Sequence, residues 1–274
     1  MAFVIDGTKA RDHHKARLME RVQAFTASAG YPPRLAIIQI GDNKDSSTYI
    51  EQKKRFGASV GAAVDHIRFL EDVPQAEVAE RVAALNADAR THGIIIQLPI
   101  PAHLDKQALI NLIDAAKDVD GLTDANQSLL DAGAPRMIPA TAKGVMLLLD
   151  FYGIDCRGKA VAVWGRSRLV GHPIAELLRS RGARVSVIHS QTPSPEVVSR
   201  AADIVIAAIG RRAHLGTAHI KPGAVVIDIG TQGDVDHAAV ESVASAMSPV
   251  PGGVGPMTVL SLFDNLMVSA ALSS

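Results

Sequence analysis

Ala160-Val-Ala-Val-Trp164-Gly165-Arg-Ser-Arg-Leu-Val-Gly171 is the stretch that decides the fold. An apolar run passes directly into a glycine turn, and the turn into a helical pattern over 171–181. A strand, a tight glycine turn and a helix N-terminus together make an anion site. Glycine permits the turn, a small residue lets the backbone approach a pyrophosphate, and the helix dipole favours negative charge. The generic G-x-G-x-x-G spacing is not met, because Ser167 takes the second position and the third glycine is displaced to Gly171. Taken alone, the stretch favours a dinucleotide over a merely structural turn. Gly165, Arg166, Ser167, Val170 and Gly171 are the candidate cofactor contacts.

Downstream, the spacing predicts strands over 184–189, 203–209 and 224–229 with a helix over 194–201, a compact nucleotide-binding α/β unit. The strand after the glycine turn ends at His189-Ser190, where an NAD site usually places a carboxylate on the ribose hydroxyls. A carboxylate would repel a 2′-phosphate; a hydroxyl and an imidazole would not. Arg166 can add positive charge for that phosphate, so NADP is favoured over NAD. Gly210 and Thr231, just beyond the next two strands, complete the cofactor candidates.

Upstream, helices are predicted over 8–29, 46–60 (N-capped by Asp45 or Ser46), 75–90, 104–116 and 143–152. Strands are predicted over 34–40, 63–69 and 93–98, the last broken by Pro99 and Pro101. Residues 117–121 read as a turn and the Ala-rich stretch to about 138 as a connector. This alternation predicts an α/β protein with parallel sheets. Two domains are expected, with a cleft between them. One covers 1–138, completed by a helical tail over 257–274 that packs back on it; the other is a Rossmann-type domain over 139–256.

Bulk properties narrow the function. The 274 residues carry 28 basic and 28 acidic side chains, so no electrostatic footprint for nucleic acid or an anionic membrane is expected. Cys156 is the only cysteine, which excludes an internal disulfide and fits a reducing compartment; a packing role suits it better than nucleophilic chemistry. The N-terminus lacks a basic signal-peptide region, and no stretch reads as a membrane span. A cytoplasmic protein without a metal is expected.

Tyr49 and Lys53 stand at i, i+4, so they project from one face of the 46–60 helix. A lysine on a helix is usually a surface charge. Two features raise Lys53 above that. Gln97 lies in an otherwise apolar strand, where an amide either satisfies a buried partner or points into a site. Asp118 and Asp120 sit on the turn after the 104–116 helix, at another edge from which a side chain could converge. Near the end, Ser248-Pro-Val-Pro-Gly-Gly-Val-Gly-Pro-Met-Thr258 forms a rigid, side-chain-poor loop that would let a flat ring approach the backbone.

Together these segments resemble the methylenetetrahydrofolate dehydrogenase/methenyltetrahydrofolate cyclohydrolase family. The likeness runs nearly end to end, through Ile5-Asp-Gly7, Gly41-Asp-Asn43, Ser47-x-Tyr49-x3-Lys53, Gln97-Leu-Pro99-x-Pro101, Lys117-Asp-Val-Asp-Gly121, Lys143-Gly144, the glycine turn, Lys221-Pro-Gly223, Ile227-Asp228, Gly233-Asp-Val-Asp236 and the Pro-Gly loop. The resemblance implies that Lys53 is the catalytic lysine, Gln97 the glutamine that adjusts it, Asp120 the carboxylate that holds the pterin and Tyr49 the ring lining the folate site. It makes Pro251, Gly252, Gly253, Gly255 and Pro256 substrate contacts, and Arg166 and Ser190 the 2′-phosphate pair. It also implies a homodimer that oxidises 5,10-methylenetetrahydrofolate with NADP and hydrolyses the product to 10-formyltetrahydrofolate. A monofunctional member, or a non-catalytic nucleotide-binding regulator, are the alternatives. Departures fall on the cofactor side: Pro139-Ala-Thr-Ala142, Arg212 where a proline is usual, and a short join at Thr231-Gln232.

Overall fold

The chain opens with a two-residue strand, β1 (Phe3–Val4), and a long helix, α1 (Gly7–Ala29). The computed structural model describes residues 1–272. It divides into two compact bodies: His14–Ala140 with residues 259–272, and Met1–His13 with Thr141–Thr258.

The first body holds a three-stranded parallel sheet of β2 (Arg34–Ile40), β3 (Ala63–Phe69) and β4 (Gly93–Ile96), in the order β3-β2-β4. The crossovers are α2 (Lys44–Val60) and α3 (Gln75–Ala87). Central β2 is buried from Leu35 to Ile40, which explains its unbroken apolar reading. α2 begins earlier than predicted because Asn43, not Asp45 or Ser46, caps it, accepting from the Ser46 amide at 3.0 Å. Gly61, at φ 87°, ends it in the left-handed region.

Two predicted helices are shorter. α3 stops at Ala87 because the nearly buried Lys117 amine donates to the carbonyls of Leu85, Asn86 and Asp88 at 3.1, 2.6 and 2.8 Å. The 104–116 segment is helical only in α4 (Lys106–Asn111). The expected connector instead contains α5 (Asp124–Asp131), whose cap Thr123 accepts from the Asn126 amide at 3.3 Å. Thr123 is a common N-cap residue type, but Asn126 stands where a capping box would have Glu or Gln, so the signal is weak.

The long segment of the second body opens with α6 (Ala140–Phe151), of which all but Ala140 lies within it. A six-stranded parallel sheet follows in the order β1-β9-β8-β7-β5-β6, from β5 (Ala160–Trp164), β6 (Arg184–Ile188), β7 (Ile204–Ala207), β8 (Val225–Asp228) and β9 (Ala246–Met247). Helices α7 (Gly171–Ser180), α8 (Pro195–Arg200) and α9 (His237–Val240) connect the strands. Residues 1–13 lie in this body, where β1 pairs with β9. Strands of two residues have no periodicity to read. Gly7 secures the junction: a Cβ there would lie 1.6 Å from the Gly253 carbonyl oxygen.

The last helix, α10 (Val254–Leu272), is long and apolar enough by length and composition to cross a membrane, contrary to the expectation that no stretch would read as a span. Its apolar side chains are spent on the core: Met257, Leu260, Leu262, Phe263, Leu266 and Ala270 are at most 1% exposed. In the first body its Asn265 amide donates to the carbonyls of Val119 and Ile138 at 2.9 and 2.8 Å. A Cβ on Gly57 would meet the Phe263 ring at 2.8 Å, so the small residue in α2 sets how closely α10 packs.

Candidate active site

In the first body, Lys53, Gln97 and Asp120 come together. β4 is the neighbour of β2, and α2 leaves the C-terminal edge of β2, so the helix face carrying Lys53 faces the end of β4. The buried Ser46 hydroxyl ties the start of α2 to that edge by donating to the Leu98 carbonyl at 3.3 Å. The same carbonyl accepts from the Gln97 amide nitrogen at 2.9 Å. A carbonyl can only accept, so the NH2 of Gln97 must face it. The Gln97 Oε1 is therefore turned to Lys53, whose Nζ donates to it at 2.8 Å.

Electrostatics give these groups different tasks. Desolvation by burial pulls the Lys53 pKa below its ordinary 10.5, while the negative charge of Asp120 opposes the shift. Burial raises the Asp120 pKa above 3.8; Lys53 lowers it in turn, and Asp118 adds to the rise. Tyr49, one turn before Lys53, keeps 37% of its surface exposed, and burial and then Asp45 raise its hydroxyl pKa. The result is an amine biased towards its neutral form, held by an uncharged acceptor, beside a carboxylate and an accessible ring.

The two aspartates of the 117–121 turn have separate roles. Segment 117–119 extends the sheet beside β4, with the Ile94 amide donating to the Lys117 carbonyl at 2.8 Å. Asp118, 1% exposed, takes the amides of Leu122 and Thr123 and the Asn126 side chain at 3.2, 2.8 and 2.9 Å. It is committed to the turn, which leaves Asp120 as the carboxylate beside the amine.

The second body contains the glycine turn that follows β5. Gly165 has φ 107°, and a Cβ there would sit 2.2 Å from the Ala208 carbonyl oxygen. A Cβ on Gly171 would lie 2.2 Å from the Gly165 carbonyl oxygen. Only glycines close this turn. Ser167 Oγ accepts from the amides of Val170 and Gly171 at 3.3 and 3.5 Å, which helps to order the start of α7. Arg166 is exposed after β5, and Ser190 is exposed after its neighbour β6, so both stand at one sheet edge. The glycine cradle and these exposed polar groups fit a dinucleotide phosphate.

Gly210 differs from its expected role in one respect: its amide donates to Asp234 at 3.0 Å. Any contact it makes with a cofactor comes from its open face, where a Cβ would meet nothing within 4 Å. Thr231 is exposed on the loop after β8. In the Pro-Gly loop, the Gly252 carbonyl accepts from the Gly7 amide at 2.9 Å, and a Cβ on Gly253 would lie 2.5 Å from the Pro249 carbonyl oxygen. Gly255 and Pro251 are exposed, and Pro256 is half-buried. Sequence alone misses Ser46 as a tether and the buried pair Asp228 and Asp234; the signal for the pair is acidic residues flanking a glycine loop.

The chain is similar throughout its length to proteins of one family. Residues 5–120 match the catalytic domain, and residues 139–274 the NAD(P)-binding domain, of tetrahydrofolate dehydrogenase/cyclohydrolase. A bifunctional FolD protein of Streptococcus pneumoniae serotype 4 is 40% identical over 98% of each chain. The crystal structure of the bifunctional FolD enzyme of Campylobacter jejuni superposes with a TM-score of 0.95 at 36% identity, covering 99% of both chains. The FolD structure of Trypanosoma brucei, complexed with NADP and an inhibitor, gives a TM-score of 0.95 at 35% identity, covering 99% of this chain and 98% of that one. With both domain matches in place and Lys53, Gln97 and Asp120 gathered as described, the chain belongs to the tetrahydrofolate dehydrogenase/cyclohydrolase family.

Proposed function

We propose that this protein oxidises 5,10-methylenetetrahydrofolate with NADP and hydrolyses the resulting 5,10-methenyl cation to 10-formyltetrahydrofolate. The observation that carries the hydrolytic step is the contact of the Lys53 amine with the Gln97 carbonyl oxygen at 2.8 Å, in a setting that lowers the lysine pKa. The folate relatives and the glycine turn carry the oxidation.

Bound NADP supplies the hydride acceptor, and the folate nitrogens stabilise the positive charge that develops on the carbon. This chain contributes alignment. Asp120 is suited to the amino-pyrimidine edge of the pterin through a pair of hydrogen bonds, and Tyr49 to its ring. In the hydrolysis, water adds to the methenyl carbon and passes a proton to the neutral Lys53 amine. The C–N5 bond then breaks as the new hydroxyl loses its proton to solvent and becomes the formyl oxygen. N5 takes back the proton held by Lys53. Gln97 keeps the amine aimed without fixing it as an ammonium, because an amide oxygen carries no charge to pair with.

Arg166 and Ser190 are the groups we assign to the 2′-phosphate. An Arg166→Ala protein should bind NADP roughly tenfold more weakly, the effect of losing a charge-assisted contact, with little change for NAD. Equal losses for both dinucleotides in a binding titration would remove Arg166 from that role. A further part of the proposal is a cytoplasmic homodimer that binds neither nucleic acid nor membrane. Light scattering should give about twice the chain mass of 28.9 kDa; a monomer at working concentration would contradict it.

A further inference from the structure

Two buried carboxylates of the second body, Asp228 and Asp234, take no part in the steps above, and each is 1% exposed. Asp228, the last residue of β8, accepts from the amides of Gly230, Asp234 and Val235 at 2.9, 3.0 and 3.0 Å, and pairs with His237 Nε2 at 2.9 Å. The loop after β8 is thereby folded back on the end of its own strand. That fold aims the Asp234 carboxylate at a different segment, the turn after β7. It accepts there from three successive amides, those of Ile209, Gly210 and Arg211, at 2.7, 3.0 and 2.7 Å.

The fit is close. A Cβ on Gly230 would lie 2.6 Å from Asp234 Oδ1, so only glycine admits the carboxylate. The Ala213 amide donates to the Gly233 carbonyl at 2.8 Å, and Ala213 has φ 50°, a region an alanine rarely enters unless its surroundings hold it there. The turn is therefore held at both ends. Between those anchors it carries Arg211 and Arg212, exposed and without an ion-pair partner among the described residues. The turn also starts against the phosphate-binding glycine, since Ala208 is the residue a Cβ on Gly165 would strike.

We propose that Asp234 is a positioning residue for the dinucleotide: it presets the 209–213 turn so that Arg211 and Arg212 present their charge to the phosphates of NADP. The proposal rests on the dehydrogenase reading given above. A buried carboxylate is costly unless its oxygens are satisfied, and this one spends them on the backbone of a single surface turn. The return is conformational: a turn already ordered gives up less freedom when an anion binds.

The test uses the whole protein. In Asp234→Asn the side chain keeps its shape but loses its charge and gains a donor facing three donors. Calorimetric titration should give an NADP Kd raised roughly tenfold or more, the scale of weakened charge-assisted hydrogen bonds. Hydrolysis of supplied 5,10-methenyltetrahydrofolate, which uses no dinucleotide, should change by less than about twofold, as expected when only cofactor binding is lost. Gly230→Ala, which pushes the carboxylate out and keeps its charge, should show the same split. Arg211→Ala/Arg212→Ala should reproduce the weaker NADP binding with the turn intact, and so decides the matter if Asp234→Asn does not fold. Unchanged NADP affinity in the arginine pair variant, or parallel loss of both activities in Gly230→Ala, would overturn the proposal. Wild-type protein that fails to bind NADP at all would instead sink the dehydrogenase reading.

Discussion

A Lys53→Met protein should hydrolyse 5,10-methenyltetrahydrofolate about 10²- to 10⁴-fold more slowly than the wild type, the range a positioned general base contributes. Methionine preserves the length and packing of the stem but has no lone pair of comparable basicity. Gln97, still oriented by its 2.9 Å contact to the Leu98 carbonyl, would face a thioether instead of an amine. The decay of the methenyl absorbance measures the effect directly. Near-normal hydrolysis would show that another group takes the proton. The pH profile gives a second check with a defined sign. In the proposed hydrolysis Lys53 acts as the neutral amine, and its pKa is lowered from 10.5, so the hydrolytic rate should rise with pH and level off below that value. Asp120 opposes the shift, so Asp120→Asn should move the rising limb to still lower pH while weakening folate binding. A limb that moves upward instead would mean that Asp120 does not act on Lys53 through its charge.

The same shift makes the site costly to the fold. A lysine whose folded pKa is depressed binds fewer protons folded than unfolded, so its burden is absent above 10.5, grows as pH falls below that value and is complete once pH is below the folded value. Asp120, with its pKa raised, has the opposite sign: its contribution is present below 3.8 and is lost as pH rises through the folded value. At neutral pH both groups are therefore held against their preferences. Such opposed shifts in adjoining groups are a pattern of functional sites.

How much of the site is legible in the sequence depends on where the information resides. Lys53 and Tyr49 share a helix, so their common face follows from spacing alone. Gln97 stands out because an amide interrupts an isoleucine run. What spacing cannot supply is the sheet order β3-β2-β4, which makes the ends of β2 and β4 neighbours and brings Lys53 to Gln97. Nor can it separate Asp118 from Asp120. They are two residues apart with the same chemistry, and only the amides of Leu122 and Thr123 show that one is structural. Asp234 is harder still, since its partners lie more than twenty positions earlier in the chain. The main helices and strands, by contrast, follow from periodicity, and the misses cluster where a single side chain overrides it. Lys117 ends α3, Asn43 starts α2, and Thr123 starts α5 within an apparent connector.

Gly165→Ala should separate the two activities from the other side. At φ 107° an added Cβ is strained, a cost on the order of 1–3 kcal/mol before any clash is counted. The atom it would meet, 2.2 Å away, is the Ala208 carbonyl oxygen, part of the backbone just beyond β7 and unable to rotate aside. The glycine turn and the 208–212 segment must therefore move apart, and that opens the cradle for the pyrophosphate. NADP binding should weaken by at least roughly tenfold to a hundredfold, the scale of about 1.4–2.8 kcal/mol. Hydrolysis of supplied 5,10-methenyltetrahydrofolate should persist, because Lys53, Gln97 and Asp120 all lie in the first body. Gly158→Ala is the matched control. It also has positive φ, 68°, but nothing lies within 4 Å of its Cβ, so it carries backbone strain without the clash. If Gly165→Ala binds NADP no worse than Gly158→Ala, the turn after β5 is not the phosphate site. If it alone loses the dinucleotide, the close approach of Gly165 to Ala208 is the feature on which oxidation depends.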